Sequence, residues 1–143
     1  MILEDIDVSE DPVRPELSLE WRQAYGRQIF GLKYEDNIEG IVCVAYTNDI
    51  PQSVRELELM SENAHMKNDA NTAVAYTVWS RKRGAGREII LKLISFLKSS
   101  KRQVDRVVTL SPVTDMAKKF HMRNGAIELR RNKDTVNFEY RMS

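Results

Sequence analysis

Residues 72–97 read TAVAYTVWSRKRGAGREIILKLISFL, and within them the sequence changes from an extended to a helical pattern. The run at 72–79 is dominated by β-branched and aromatic residues, which predicts a buried strand. From Gly86 onward the apolar residues follow the spacing of an amphipathic helix: Ile90, Leu93, Ile94 and Leu97. The six residues RKRGAG at 81–86 are therefore expected to form the turn that joins strand and helix.

The residues after this helix predict a second strand, a second helix and a hairpin. VDRVVTLS at 104–111 is the strand, which makes the quoted stretch the crossover of a β-α-β unit. VTDMAKKFHMRN at 113–124 is the helix, and Gly125 follows it as a C-terminal stop signal. The hairpin is formed by AIELRR at 126–131 and TVNFEYRM at 135–142. In the second of these runs apolar and polar residues alternate, as expected of a strand with one buried face.

The N-terminal half is predicted to contribute a hairpin and two helices to the same domain. The hairpin pairs residues 27–35 with 40–48 around a turn at DNIEG, 36–40. One helix covers 18–26 with Ser18 as N-cap, a second covers 51–67, and residues 1–8 are a candidate edge strand. With no repeat or linker, residues 1–143 are expected to form one domain.

Composition limits the function classes. The chain has 143 residues, of which 42% are hydrophobic and 30% charged, and no apolar stretch approaches the roughly 20 residues that span a bilayer. The acidic N-terminus lacks the pattern of a secretory signal, so we expect an intracellular, cytoplasmic protein without membrane association. Cys43 is the only cysteine and is expected to be a buried apolar side chain. With only His65 and His121 as imidazole ligands, we expect no metal site.

Charge is distributed unevenly along the chain. The net charge is +1, but residues 1–62 hold 14 acidic and 5 basic side chains whereas residues 63–143 hold 7 and 17. The second half is suited to an anion and the first to a cation.

The turn at 81–86 has the chemistry of a phosphate site. The first N–H groups of a helix lack internal partners, and the helix dipole is positive there. Gly84 and Gly86 allow close backbone approach, and the surrounding cations supply charge. An ordinary basic turn explains the same residues. The nucleoside triphosphate loop, Gly-x-x-x-x-Gly-Lys-Ser/Thr, is absent. The dinucleotide fingerprint, Gly-x-Gly-x-x-Gly, is also absent, because Ile89 occupies the position of its third glycine.

The arrangement resembles the GNAT superfamily of acyl-CoA N-acyltransferases. Its signature, Arg/Gln-x-x-Gly-x-Gly/Ala between the fourth strand and the next helix, is matched at each position by residues 81–86. TDMAKKFHMRNGA at 114–126 has the frame of the family's Asn-x-x-Ala-x-x-Leu-Tyr helix, and the resemblance spans roughly residues 28–142. It implies an α/β fold with a mixed, mostly antiparallel sheet, a splayed parallel strand pair and flanking helices.

The resemblance also implies an activity, N-acetyl transfer from acetyl-CoA to a primary amine by direct attack. The pantetheine arm would lie between the two parallel strands, and a backbone N–H near Tyr76 to Val78 would polarise the acyl carbonyl. The acidic half would favour a cationic acceptor, such as a polyamine or a basic peptide. The residues implied to bind acetyl-CoA are Val78, Arg81, Lys82, Arg83, Gly84, Ala85, Gly86, Arg87 and Thr114.

Departures from the family's pattern leave the proton transfers open. His121 stands where the family usually has a tyrosine that protonates the leaving thiolate, Thr114 replaces asparagine and Ala126 replaces phenylalanine. His121 is either that acid or a packed, hydrogen-bonded aromatic. The strand at 72–79 contains no acidic residue to serve as base. The preceding segment offers five candidates for this base, but each is also explained as a solvated charge, and we assign none of them as the base: Glu56, Glu58, Glu62, His65 and Asp69.

Two other function classes compete with catalysis. The first is a non-catalytic GNAT-like module that binds acyl-CoA or a protein without turnover. In either class, the inserted segment 51–71 would shape acceptor specificity or form a homodimer contact. The second, nucleic-acid binding through the basic half, requires exposed aromatics. Only Trp79 lies beside the cations, and a core position at the strand end explains it better. We therefore expect no nucleic-acid partner.

Overall fold

The computed structural model describes residues 1–142, which form four helices and seven strands. The helices are α1 Leu19–Gln23, α2 Val54–Lys67, α3 Ala85–Ser99 and α4 Asp115–Arg123, with a short 3-10 turn at Val8–Glu10. The strands are β1 Gln28–Tyr34, β2 Asn37–Thr47, β3 Thr72–Ser80, β4 Arg106–Thr109, β5 Ser111–Pro112, β6 Ile127–Arg131 and β7 Thr135–Tyr140.

All seven strands belong to one sheet. Its order is β1-β2-β3-β4-β7-β5, and β6 pairs with β7. The β3–β4 pair is parallel and the other pairs are antiparallel. A parallel pair needs a crossover connection, and α3 provides it. This mixed sheet with flanking helices confirms the predicted fold class.

The two faces of the sheet carry different elements and separate cores. One face packs against α3 and α4, and buries Ile90, Leu93 and Phe138. The other packs against the N-terminal segment, α1 and α2, and buries Ile29, Cys43 and Leu57. Below, we call them the α3 face and the N-terminal face.

Most predicted elements are confirmed, including the Ser18 cap of α1, whose hydroxyl accepts from the N–H of Trp21 at 3.0 Å. Two local predictions are wrong. The turn of the first hairpin is Glu35–Asp36, not 36–40, because Glu35 adopts a left-handed conformation and a bulge lets β2 begin at Asn37. The N-terminal edge strand is reduced to a bridge between Ile2 and Phe30.

A bulge in the middle of β3 shapes the centre of the sheet. Cys43 and Val44 of β2 pair with Thr77 and Ala75, which leaves Tyr76 as the extra residue. A bulge turns two consecutive side chains to the same side. Accordingly, Tyr76 packs in the core of the N-terminal face and the Thr77 hydroxyl bonds to Asp11 of the N-terminal segment.

The parallel pair separates just beyond this bulge. Registered pairing between β3 and β4 ends at Ala75 and Thr109, and the last backbone bond between them runs from the N–H of Leu110 to the oxygen of Ala75. The remainder of β3 continues toward the loop paired with β2 only, while the chain after Leu110 pairs with β7. We call the space between the diverging strands the opening. The predicted splay of the parallel strands is confirmed.

Candidate functional site

The loop at 81–86 connects the C-terminal end of β3 to the start of α3. Gly84 is the N-cap of α3 with φ 87°, a left-handed conformation that favours glycine, and the space beside its Cα is open. The N–H of Ala85 donates to the Lys82 oxygen at 3.0 Å. Among the described residues, the N–H groups of Gly86 and Arg87 have no such partner. They remain free to bind an anion.

The start of α3 is packed too tightly for larger residues. A Cβ on Gly86 would lie 3.3 Å from the ring of Phe120 in α4. A Cβ on Gly40 in β2 would lie 2.7 Å from the backbone oxygen of Ala85. Ala85 itself is fully buried, so it can contribute to a ligand site through its backbone only. These contacts fix the loop against β2 and α4.

The cations of the loop differ in how they are engaged. Arg81 donates to the Glu10 carboxylate at 2.6 and 2.9 Å and to the Ile38 oxygen at 3.1 Å. Lys82 lies 4.2 Å from the centre of the Tyr34 ring. Within residues 1–142, Arg83 and Arg87 form no ion pair. These two exposed side chains are the cations most available to a phosphate.

An arginine closes the opening from the N-terminal face. Nε of Arg14 donates to the Tyr76 oxygen at 3.0 Å, and Nη2 donates to the Leu110 oxygen at 2.9 Å. Arg14 is 9% exposed, and this burial lowers the pKa of its guanidinium, which nevertheless stays protonated at neutral pH. A single side chain thus bridges the two diverging strands.

A buried ion pair holds Arg14 in place. The Asp11 carboxylate bonds to Nη1 of Arg22 at 2.7 Å, and both side chains have no exposed surface. Asp11 also accepts from the Thr77 hydroxyl at 2.8 Å and from the backbone N–H of Arg14 at 3.1 Å. Arg22 donates in turn to the backbone oxygen of Arg14 at 2.6 Å. Removing one partner of such a pair typically costs about 3–5 kcal/mol, so the segment is firmly anchored.

His121 lies inside the protein, on the α3 face. Its Nδ1 is 2.6 Å from the Tyr140 hydroxyl, and its ring stacks on Phe138 at a centroid distance of 5.2 Å. Burial lowers the pKa of His121 to about 4 and raises the pKa of Tyr140 to about 12. Both groups are therefore neutral at pH 7. This environment favours the packed, hydrogen-bonded aromatic of the two interpretations.

The remaining predicted site residues lie around the loop and opening. Val78 is half-buried on the α3 face, in the part of β3 beyond the last β4 pair. The exposed Thr114 caps α4, and its hydroxyl accepts from the N–H of Ala117 at 3.1 Å. The structure thus brings Val78, the loop and α4 together around one end of the opening.

The candidate bases lie elsewhere or are already engaged. Glu58 accepts from Nε1 of Trp21 at 2.9 Å, and this bond lowers its pKa. Trp21 lies between Glu58 and Tyr76, with its ring edge-on to the Tyr76 ring at 5.5 Å. His65 and Asp69 line a cavity of about 650 Å³ whose walls also include Lys101. That cavity is formed beside the start of β3 and the end of α3, away from the loop.

Sequence reasoning missed the residues that close the opening. Asp11, Arg14 and Arg22 lie in a charged N-terminal region, where the usual interpretation is a solvated surface. No local pattern signals their burial, because Arg14 bonds to the backbone of Tyr76 and Leu110 and Asp11 bonds to the Thr77 hydroxyl, all distant in sequence. Gly40 was also missed: it was assigned to a turn, whereas its neighbour is the start of α3.

Within residues 1–142, no helix is both long and apolar enough to cross a membrane. No protein-family model and no curated protein matches the sequence.

Solved structures do share the fold. Malonyl-CoA decarboxylase from Cupriavidus metallidurans superposes with a TM-score of 0.65 at 14% identity, over 85% of this chain and 53% of that one. A Desulfovibrio desulfuricans protein assigned to the GNAT family of acetyltransferases superposes with a TM-score of 0.57 at 12% identity, over 84% of this chain and 71% of that one. The N-acetyltransferase PseH of Campylobacter jejuni, solved with acetyl coenzyme A, superposes with a TM-score of 0.58 at 12% identity, over 87% of this chain and 74% of that one.

The present chain spans about half the length of the malonyl-CoA decarboxylase that it matches. In this chain the fold consists of the mixed sheet, one parallel strand pair, β3 and β4, that diverges near the sheet centre, and the α3 crossover that begins at the glycine loop. These features and the superpositions show that the chain has the GNAT-like fold.

Proposed function

We propose that residues 1–143 act as one acyl-CoA-dependent N-acyltransferase domain that passes an acetyl group from acetyl-CoA to a primary amine. The observation that carries the proposal is the loop: a left-handed Gly84 with open space beside it, followed by the free N–H groups of Gly86 and Arg87. This loop lies directly beside the opening of the parallel pair. The complex of PseH with acetyl coenzyme A, in the same fold, supports the assignment.

In this proposal the residues of the chain divide into binding and positioning groups. The N–H groups of the loop and the side chains of Arg83 and Arg87 would bind the pyrophosphate of CoA. The edge of β3 around Tyr76 to Val78, freed by the end of β4 pairing, would bind the pantetheine arm and polarise the acyl carbonyl. Thr114 and the start of α4 would contact the same arm.

The acceptor must arrive as a neutral amine, because an ammonium ion has no lone pair. The amine nitrogen would form a bond to the acyl carbon, the thiolate of CoA would leave, and the amine would lose its proton to water. We propose a water-mediated route because Glu58 bonds to Trp21 and Arg55, and Asp69 lies at the remote cavity. A cationic acceptor remains the proposed class, drawn by the acidic N-terminal half.

A test of the loop uses two glycines with matched geometry. Gly84 and Gly125 both have left-handed backbones and open space beside them, but only Gly84 belongs to the loop. Gly84→Glu and Gly125→Glu therefore add the same charge and the same backbone strain. By calorimetry, we expect Gly84→Glu to weaken acetyl-CoA binding at least tenfold and Gly125→Glu to leave it nearly unchanged. Equal affinities for the two variants would contradict the proposed site.

A second candidate function is a non-catalytic module that binds acyl-CoA. Two observations favour it: Arg14 closes the N-terminal side of the opening, and His121 is buried and neutral. Free thiol release, measured with acetyl-CoA over a panel of polyamines, aminoglycosides and basic peptides, separates the two functions. Acyl transfer requires release that depends on an amine. Binding of acetyl-CoA without release on any amine would support the module.

A further inference from the structure

Arg14 presents a positive charge to the opening that the surrounding residues do not balance. Its two hydrogen bonds at the opening are to neutral backbone oxygens, those of Tyr76 and Leu110. Within residues 1–142, its third nitrogen, Nη1, makes no hydrogen bond to the protein and keeps some contact with solvent. A buried guanidinium is normally paired with a carboxylate. Here no carboxylate contacts it.

The nearby charged groups leave a net positive site. Asp11 is committed to Arg22, which cancels one positive charge with one negative charge. Burial raises the pKa of Cys43 to about 11 and that of Tyr76 well above its usual value, so both are neutral. Glu16 also attracts the guanidinium, but it is exposed to solvent, where its field is screened. One buried positive charge therefore remains at the opening.

We propose that Arg14 is a specificity residue that selects acyl groups bearing a carboxylate of their own, that is, short dicarboxylic acyl-CoA thioesters. The inference rests on the proposed acyl-CoA-dependent transfer and replaces acetyl by a dicarboxylic acyl group as the preferred donor. An acyl group that enters the opening from the loop side meets Arg14 on the far side. A terminal carboxylate there supplies the missing counter-charge, and its hydrogen bonds with a guanidinium are charge-assisted. The methyl end of an acetyl group offers neither.

The unaltered protein tests the inference first. Calorimetry with CoA, acetyl-CoA, malonyl-CoA and succinyl-CoA gives two independent results. Absence of binding by all four would overturn the proposed function and this inference with it. If CoA binds, we expect one or both of the dicarboxylic thioesters to bind at least tenfold more tightly than acetyl-CoA. Equal affinities for all three thioesters would overturn the inference and leave the proposed function standing.

Variants then assign the preference to Arg14. Arg14→Gln removes the charge and Arg14→Lys keeps it. The ratio of the affinity for the dicarboxylic thioester to that for acetyl-CoA should therefore fall to about one in Arg14→Gln and stay high in Arg14→Lys. Arg27→Gln is the matched control, because Arg27 is another buried arginine that donates to a backbone oxygen, that of Trp21, at 2.7 Å. A preference that survives in Arg14→Gln would overturn the role of Arg14. If Arg14→Gln does not fold, the unaltered protein still shows whether dicarboxylic thioesters are preferred. The Arg14→Lys variant then tests the role of the charge, because loss of the preference in this variant would contradict it.

Discussion

His121 links the stability of the protein to pH. Its pKa is about 4 in the folded protein and about 6.5 when exposed, so between these values the unfolded chain binds the proton and the folded protein does not. This contribution to stability is complete above pH 6.5 and is lost as the pH falls toward 4. We predict that the free energy of unfolding by urea decreases by about 2 kcal/mol from pH 7.5 to pH 5 through this residue.

The control for this prediction is the other histidine. His121→Phe should reduce the loss between pH 7.5 and pH 5 by about that amount, whereas replacing the exposed His65 by glutamine should not. An identical pH dependence in the unaltered protein and in His121→Phe would contradict the buried, neutral state of this ring.

The same substitution tests whether His121 donates a proton to the thiolate. Because the ring is neutral and its Nδ1 contacts Tyr140, we predict that His121→Phe keeps most of the amine-dependent thiol release. Its cost should appear in stability, about 1–3 kcal/mol, because the buried Tyr140 hydroxyl loses its partner. A loss of release of tenfold or more, with acetyl-CoA affinity unchanged, would restore the catalytic interpretation.

At the scale of the elements, the close contact between the start of α3 and Gly40 of β2 positions the loop at 81–86. Gly40→Ala would place a methyl group 2.7 Å from the backbone oxygen of Ala85, so the start of α3 must move. We predict a lower thermal midpoint and acetyl-CoA binding weakened about fivefold or more, because the N–H groups that would bind the pyrophosphate move with α3. Both quantities are measured on the same samples by calorimetry.

Gly31→Ala is the matched control for this change. Gly31 lies in the adjacent strand, paired with Ile41, and a Cβ there would also lie 2.7 Å from its nearest neighbour. That neighbour is the buried Leu3 side chain, whose Cγ and Cδ atoms would lie 2.7–3.0 Å from the added Cβ, so Leu3 and not α3 must move. Stability should fall here too, but acetyl-CoA affinity should not change. Weakened binding in both variants would show that the effect does not depend on α3.

Elements with a strong local signal could be predicted from the sequence. The spacing of Ile90, Leu93 and Leu97 is enough to define α3, and all three are buried. The first hairpin was predicted with the wrong turn because Asn37 and Gly40 are typical turn residues, yet both belong to β2. Gly40 is required by a close approach of α3, which no local pattern reveals. Glycine is favoured both in turns and where two backbones pack closely, so its presence in the sequence does not tell these two cases apart.

At the scale of the whole molecule, the loop could be predicted and the opposite side of the opening could not. The loop is a contiguous stretch whose backbone chemistry follows from its place between a strand and a helix. Arg14 reaches Leu110 across 96 positions of sequence, and Asp11 reaches Thr77 across 66. Such contacts depend on the tertiary arrangement, so no local pattern in the N-terminal segment indicates them.

The acidic and basic halves of the chain meet at the loop, through Glu10 and Arg81. This exposed ion pair lies 2.6 Å apart and occupies an arginine of the proposed pyrophosphate site. We predict that Glu10→Gln increases acetyl-CoA affinity about two- to fivefold at low salt, since the guanidinium becomes free to pair with phosphate. Glu4→Gln is the control: it removes the same charge from the same segment, and the Glu4 side chain forms no ion pair among the described residues. Calorimetry on both variants separates direct competition from the general field, because both carboxylates contribute to the field but only Glu10 contacts Arg81. An equal gain in both variants would mean that Glu10 acts through overall charge and does not compete for Arg81.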